Sequence, residues 1–191
     1  MSERTSLKTK IREKASFKPN RYPELYTEMS KVLLPESRIL SYGCGKGAEL
    51  LDLHKHMPQA RFTGVDISSY AVKHTLENCR GVIPGLRVVL LEDFLRAPET
   101  FDAVFAMNIF KRMEEGSEYP FEEFCQNMRD VSEFVRPGGF LFLDGTQYAF
   151  TDTPIFKERF NVRPMRCDET KHISEKWHKW PHYCFQKAYN G

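Results

Sequence analysis

Apolar positions along the chain follow two alternating rhythms, one of period 3.6 and one of nearly continuous short runs. Pro23 sits where a helix begins, and Leu25, Met29, Val32 and Leu33 follow at helical spacing, so a first helix is predicted that ends near Pro35. Residues 38–42 (RILSY) then read as a short strand running into Gly43-Cys44-Gly45-Lys46-Gly47. Ala48, Leu50, Leu51 and Leu53 carry a helix to about Met57. Residues 61–65 form a second strand ending at Asp66, and Ser68 or Ser69 caps a helix with Ala71, Val72, Thr75 and Leu76 on one side. Residues 86–91 (LRVVLL) are almost uniformly apolar, the pattern of a strand covered on both faces.

A fourth strand is predicted at 101–107, an amphipathic helix at 120–135 and a fifth strand at 139–143, behind the turn Arg136-Pro137-Gly138. Strands separated by helices need crossover connections, which are right-handed and build a parallel sheet with helices on both faces. Beyond it, residues 154–160 read as a short helix, 161–166 as a strand and 183–188 as a terminal strand. The fold class expected is α/β, doubly wound.

Composition agrees with this. Of 191 residues 41% are apolar and 28% charged, with 15 Phe and 8 Tyr, which is globular rather than disordered. No run approaches the 18 or more apolar residues of a membrane span, and the first residues lack the apolar stretch of a signal peptide, so a cytoplasmic protein is expected. The net charge of +2 hides an asymmetry: residues 1–21 hold seven Lys or Arg against Glu3 and Glu13. We therefore divide the chain into a basic arm with its helix at 1–35 and a main domain at 36–191. The body has no nucleic-acid footprint. Five cysteines, with no C-x-x-C pair, read as reduced thiols.

The chemistry starts at the glycine turn. In an open α/β sheet a ligand binds beyond the carboxyl ends of the strands, where strand order reverses. Gly43, Gly45 and Gly47 follow the first strand, where tight turning and close ligand approach both favour glycine. Asp66 comes 23 positions after Gly43 at the end of the next strand, suited to accept hydrogen bonds from a ribose diol. Gly43, Gly45 and Ala48 also satisfy the dinucleotide pattern G-x-G-x-x-A, so the residues alone leave the kind of nucleoside cofactor open.

The stretch 39–47 resembles motif I of the class I S-adenosylmethionine-dependent methyltransferases, a hydrophobic strand followed by an acid and G-x-G-x-G. Gly64-Val65-Asp66-Ile67-Ser68 resembles the second motif, Leu91-Glu92-Asp93-Phe94 the loop after strand three, Phe101-Asp102-Ala103-Val104 the opening of strand four and Arg136-Pro137-Gly138-Gly139-Phe140 the turn before strand five, in unbroken order. The resemblance implies a seven-stranded, mostly parallel sheet of order 3-2-1-4-5-7-6 with the last strand antiparallel, and S-adenosyl-L-methionine as cofactor. It places Tyr42, Gly43, Cys44, Gly45 and Gly47 along the cofactor, Asp66 on the ribose, Ile67 on the adenine, Asp93 on its amino group, Phe94 beside the ring and Asn108 near the methionine. The family's acid two residues before the first glycine is Ser41 here, which leaves Glu49 and Asp52 as candidates for the missing contact.

The cofactor's sulfonium activates the methyl group, so no fixed catalytic residue is required and none is assigned. Acceptor-side candidates are Asn108, Phe110, Lys111 and Arg112, then Asp144, Tyr148 and Phe150, with Arg21, Tyr22 and Tyr26 in front. Asn108-Ile109-Phe110-Lys111 lacks the paired prolines of the family's base-methylating members, which favours a small-molecule acceptor over nucleic acid. Cys167, His172, His178, His182 and Cys184 crowd into 18 residues but match no zinc spacing, so no metal is expected; any of the three histidines could serve as a general base. The rival readings are an NAD(P)-dependent oxidoreductase and a catalytically silent cofactor-binding accessory protein.

Overall fold

The computed structural model describes residues 17–110, 119–165 and 184–189. Seven strands form one sheet: β1 (Arg38–Tyr42), β2 (Arg61–Asp66), β3 (Arg87–Leu90), β4 (Phe101–Met107), β5 (Val135–Asp144), β6 (Phe160–Val162) and β7 (Cys184–Lys187). Their order is β3-β2-β1-β4-β5-β7-β6, with β1 to β5 parallel and β7 antiparallel to both β5 and β6. This is the sheet that the sequence resemblance implied. Strand order reverses between β1 and β4, so the crevice that receives ligands in such sheets lies beyond those two carboxyl ends.

Six helices cover the faces: α1 (Pro23–Met29), α2 (Ala48–His56), α3 (Ser69–Cys79), α4 (Leu91–Arg96), α5 (Phe121–Ser132) and α6 (Pro154–Arg159). Period-two alternation sorts the side chains into two cores. Ile39, Ala103, Phe105 and Phe142 face α1 to α3, packing on Leu25, Met29, Leu50 and Leu53. Leu40, Val104, Leu141 and Leu143 face the other side, against Phe94, Phe124, Met128 and Ile155. The Phe105 and Phe142 rings, paired in register on adjacent strands, stack with centroids 4.3 Å apart. Because Leu25, Tyr26 and Met29 are all in the first core, α1 is built into the domain and fixed over the sheet.

Three expectations change. The apolar run at 86–91 is not covered on both faces: β3 is an edge strand, with Arg87 exposed and Val88 to Leu90 half-buried. Leu91 to Arg96 form α4 directly after it, where a loop was expected. The turn at 136–138 lies inside β5, which starts at Val135 and absorbs the extra residues as a register shift between the pairs Phe101↔Val135 and Ala103↔Phe140. Lys187 on β7 is buried and donates to the carbonyls of Ser132 (2.9 Å) and Val135 (2.8 Å), closing the end of α5 against the sheet.

Candidate functional site at the switch point

The glycine turn is left-handed at three alternate residues, with φ of +78° at Gly43, +57° at Gly45 and +86° at Gly47. L-residues with a side chain rarely adopt this conformation, which is why the spacing is legible in the sequence. The turn is tied first to β2. Gly43 and Cys44 N–H both donate to the Val65 carbonyl (2.7 and 3.0 Å), and Gly45 N–H donates to Asp66 Oδ2 (2.9 Å). Ser68 N–H donates to Asp66 Oδ1 (2.9 Å), so the carboxylate bridges the turn and the start of α3. Burial raises the Asp66 pKa above the usual carboxylate value, opposed by these backbone donors. A carboxylate has about four lone-pair sites, so acceptor capacity remains for a diol.

A second set of ties comes from α3 and was not anticipated. Thr75 Oγ1 donates to the Gly45 carbonyl (2.8 Å), Asn78 Nδ2 to that of Lys46 (2.9 Å) and Cys79 Sγ to that of Gly47 (3.8 Å). Positions 75, 78 and 79 share one helix face, so one stripe of α3 clasps three successive carbonyls of the turn. The i, i+3, i+4 placement of Thr, Asn and Cys after a glycine turn was the available signal. It also changes the reason for two glycines. A Cβ on Gly47 would lie 2.8 Å from Cys79 Sγ, and one on Gly43 would lie 2.5 Å from Ile109 Cγ2. Protein neighbours, rather than the approach of a ligand, fill the space at those two positions.

Ser41 is wholly buried on β1, facing α2. Its hydroxyl donates to Glu49 Oε1 (2.6 Å), in the first turn of α2. Burial lifts the Glu49 pKa from 4.5 to about 7, against the lowering effects of the Ser41 hydrogen bond and of Arg21. Asp52, the other candidate acid, is engaged differently: it accepts from Asn20 N–H and pairs with Lys55 Nζ at 2.9 Å. Of the two, only Glu49 stands beside the position where the family's acid is missing.

At the ends of β4 and β5 a polar cluster joins the sheet to the start of α1. Asn108 has φ +61° and its N–H donates to the Asp144 carbonyl (2.7 Å). Its amide Nδ2 donates to the Tyr22 hydroxyl and reaches Asp144 Oδ2 at 3.4 Å, while the Tyr22 hydroxyl donates to Asp144. Burial, then the Asp144 charge, raise the Tyr22 phenol pKa, so it stays a neutral donor.

The remaining expected residues divide. Ile67, half-buried, lies at the end of β2 beside the turn. Asp93 is in the first turn of α4, half-exposed and paired with Arg96 at 2.9 Å. Phe94 is corrected: its ring is wholly buried against Phe134 and Phe101, so its faces belong to the core. Tyr42 and Cys44 side chains are buried too, leaving their backbone as the part at the turn. Phe110, Tyr26 and Phe150, named as acceptor-side residues, fill the cores, and Tyr148 donates to the Tyr119 carbonyl (2.6 Å). Lys111, Arg112, Cys167, His172, His178 and His182 lie outside the described residues, as do residues 1–16 of the arm. Cys184 is buried on β7. Among the described residues no cluster of His, Cys, Asp and Glu is placed to hold a metal, and no helix is long and apolar enough to cross a membrane.

Comparison with known proteins gives a consistent frame. Residues 40–141 match the family model described as a methyltransferase domain. Among solved structures, coclaurine N-methyltransferase bound to N-methylheliamine and SAH aligns with a TM-score of 0.51 and 24% identity, over 63% of this chain and 34% of that one. PKMT2 from Rickettsia typhi aligns with a TM-score of 0.50 and 20% identity, over 64% of this chain and 25% of the other. A protein described as a putative rRNA-methylase from Clostridium thermocellum aligns with a TM-score of 0.54 and 16% identity, over 85% and 95%. The chain thus spans only about a quarter to a third of the first two. No curated protein matches it in sequence.

Proposed function

The chain belongs to the methyltransferase domain family, and from that premise we propose that it transfers a methyl group from S-adenosylmethionine to an oxygen or nitrogen of a small molecule. The observation that carries this reading is the Asp66 carboxylate, held at the end of β2 by Gly45 N–H and placed beside the crevice at the switch point. The same turn argues against a dinucleotide. A pyrophosphate needs unengaged N–H groups, yet those of Gly43, Cys44, Gly45 and Gly47 already have protein acceptors, and Glu49 adds an acid to the first turn of α2. The Glu49 carboxylate, when ionised, repels a phosphate there and favours a cation.

S-adenosylmethionine, when bound, supplies a methyl group already made electrophilic by its sulfonium. What the protein then contributes is position. Asp66 accepts hydrogen bonds from the ribose hydroxyls with the lone pairs its backbone donors leave. Ile67 packs on the adenine, and Asp93, freed from Arg96, accepts from the adenine amino group. The backbone from Tyr42 to Gly47 supports the methionine portion. Asn108, Tyr22 and Asp144 form the polar wall where an acceptor approaches, and holding acceptor and methyl in line accounts for up to about 7–11 kcal/mol of barrier lowering in favourable systems.

A small acceptor is supported by the Asn108-Ile109-Phe110 segment, where no proline pair follows Asn108 and the Phe110 ring is committed to the core. A reducing, cytoplasmic setting is supported by Cys44, Cys79 and Cys125, which form no disulfide among the described residues. The test has two stages. Calorimetric titration should show binding of S-adenosylmethionine and S-adenosylhomocysteine and none of NADP(H). Labelled-methyl transfer to a cell extract should then mark a low-mass fraction; label in RNA would reject the acceptor class, and tight binding without any labelled product would favour an accessory protein.

A further inference from the structure

Strand β1 ends without an acid, but the site is not without one. Ser41 and Glu49 flank the glycine turn from either side, and their side chains meet at 2.6 Å on the α2 face of β1. A carboxylate directly at position 41 would be sealed in, since that residue is wholly buried. From the first turn of α2 the same charge reaches the same place and remains partly open to solvent. The serine hydroxyl donates to one carboxylate oxygen and fixes its direction.

We propose that Glu49 is the receptor for the α-ammonium at the amino-acid end of S-adenosylmethionine, taking over from α2 the carboxylate that β1 lacks at Ser41. The inference rests on the cofactor reading above and adds to it a residue outside the motif. The charged and titratable groups facing Glu49 are Arg21 before α1, Tyr26 on α1, Cys44 in the glycine turn and Asp52 one turn along α2. Arg21 is thus the only cation among them. With its pKa lifted to about 7, Glu49 is partly protonated at neutral pH in the ligand-free protein. An incoming ammonium favours the ionised form, so binding releases a proton around pH 7 and tightens as pH rises through that value.

Two ligands separate this proposal from its premise. S-adenosylhomocysteine carries the amino-acid end; 5′-methylthioadenosine keeps the nucleoside and thioether and lacks it. By calorimetry, Glu49→Gln should lower affinity for S-adenosylhomocysteine by about 10- to 100-fold, the range for one charge-assisted hydrogen bond, and leave that for 5′-methylthioadenosine within about twofold. The tightening of S-adenosylhomocysteine binding between pH 6 and 8 should vanish in the variant. Unchanged S-adenosylhomocysteine binding by a folded Glu49→Gln protein overturns the proposal, as does an equal loss of both ligands with an unaltered melting temperature. Should Glu49→Gln fail to fold, Ser41→Ala must show the same split between ligands at smaller size, about three- to tenfold, or the proposal falls. Wild-type protein that binds neither ligand would instead reject the cofactor reading itself.

Discussion

The two sides of the crevice are built by different means. On the β1–β2 side the ties are to main chain: Gly43, Cys44 and Gly45 N–H reach β2, and Thr75, Asn78 and Cys79 reach back from α3 to the carbonyls of the turn. These contacts join residues 21 to 32 positions apart, within one βαβα unit. On the β4–β5 side the ties are between side chains far apart in sequence, with Tyr22 meeting Asn108 across 86 positions and Asp144 across 122. A site made from backbone geometry is over-determined and rigid; one made from three polar side chains can change its ligand by substitution without disturbing the fold. That difference suits a constant cofactor on one side and a variable acceptor on the other.

The sharpest break in this comparison comes from Gly45→Val. At φ +57° a β-branched residue is strained by about 1–3 kcal/mol, and the turn must reshape to relieve it. S-adenosylmethionine affinity should fall about 100-fold or more by calorimetry, while far-ultraviolet circular dichroism stays that of the wild type. Binding within threefold of normal would mean the turn is not the seat of the cofactor. Next in size is Asp66→Ala, which removes the acceptor of two backbone donors as well as the proposed ribose contact. Cofactor affinity should drop by about 1–3 kcal/mol. An unchanged affinity in a folded variant would detach Asp66 from the site.

The same contrast explains what the sequence could reveal. Glycine at 43, 45 and 47 and aspartate at 66 were readable because left-handed φ and the switch-point rule restrict residue type at fixed offsets. The seven-stranded order came from the motif series, since periodicity cannot rank strands. Phe94 was misplaced because an aromatic side chain after a strand fits a ligand wall and a core equally well, and only packing against Phe134 and Phe101 decides. The half-burial of β3 was missed for a related reason: a short apolar run looks alike whether one face of the strand is covered or both. Asn108, Tyr22 and Asp144 could be named singly, but their meeting is a long-range fact with no local signature.

Glu49 sharpens the comparison from within the cofactor side, because there a half-buried side chain with a displaced pKa, and not the main chain, makes the contribution. In the ligand-free protein its pKa is raised from 4.5 to about 7. The folded state therefore holds the proton more tightly than the unfolded chain, and this contribution to stability is full below about pH 4.5 and lost as pH rises through 7. Glu49→Gln should remove that slope and leave the ligand-free variant more stable than wild type at pH 8 by up to about 3 kcal/mol. Chemical denaturation at pH 5 and pH 8 reads it directly; a wild-type stability that rises from pH 5 to 8 as strongly as the variant's would show that Glu49 is not held protonated.

The smallest expected effect on the cofactor belongs to Tyr22→Phe, and for that reason it tests the division most closely. The substitution keeps the ring, its edge-on contact with Tyr26 at 6.2 Å and the burial of the N-terminal approach, and deletes only the hydroxyl that joins Asn108 to Asp144. If that hydroxyl orders the acceptor wall, losing one hydrogen bond of about 0.5–1.5 kcal/mol frees Asp144 and Asn108 to rotate, and turnover should slow by about three- to tenfold once an acceptor is in hand. S-adenosylhomocysteine affinity should stay within about twofold, since of its expected partners only the Asn108 side chain is touched and the Asn108 backbone stays held by the Asp144 carbonyl. A variant that instead loses cofactor affinity as strongly as turnover would show that both sides of the crevice act as one unit, with α1 closing over the cofactor itself.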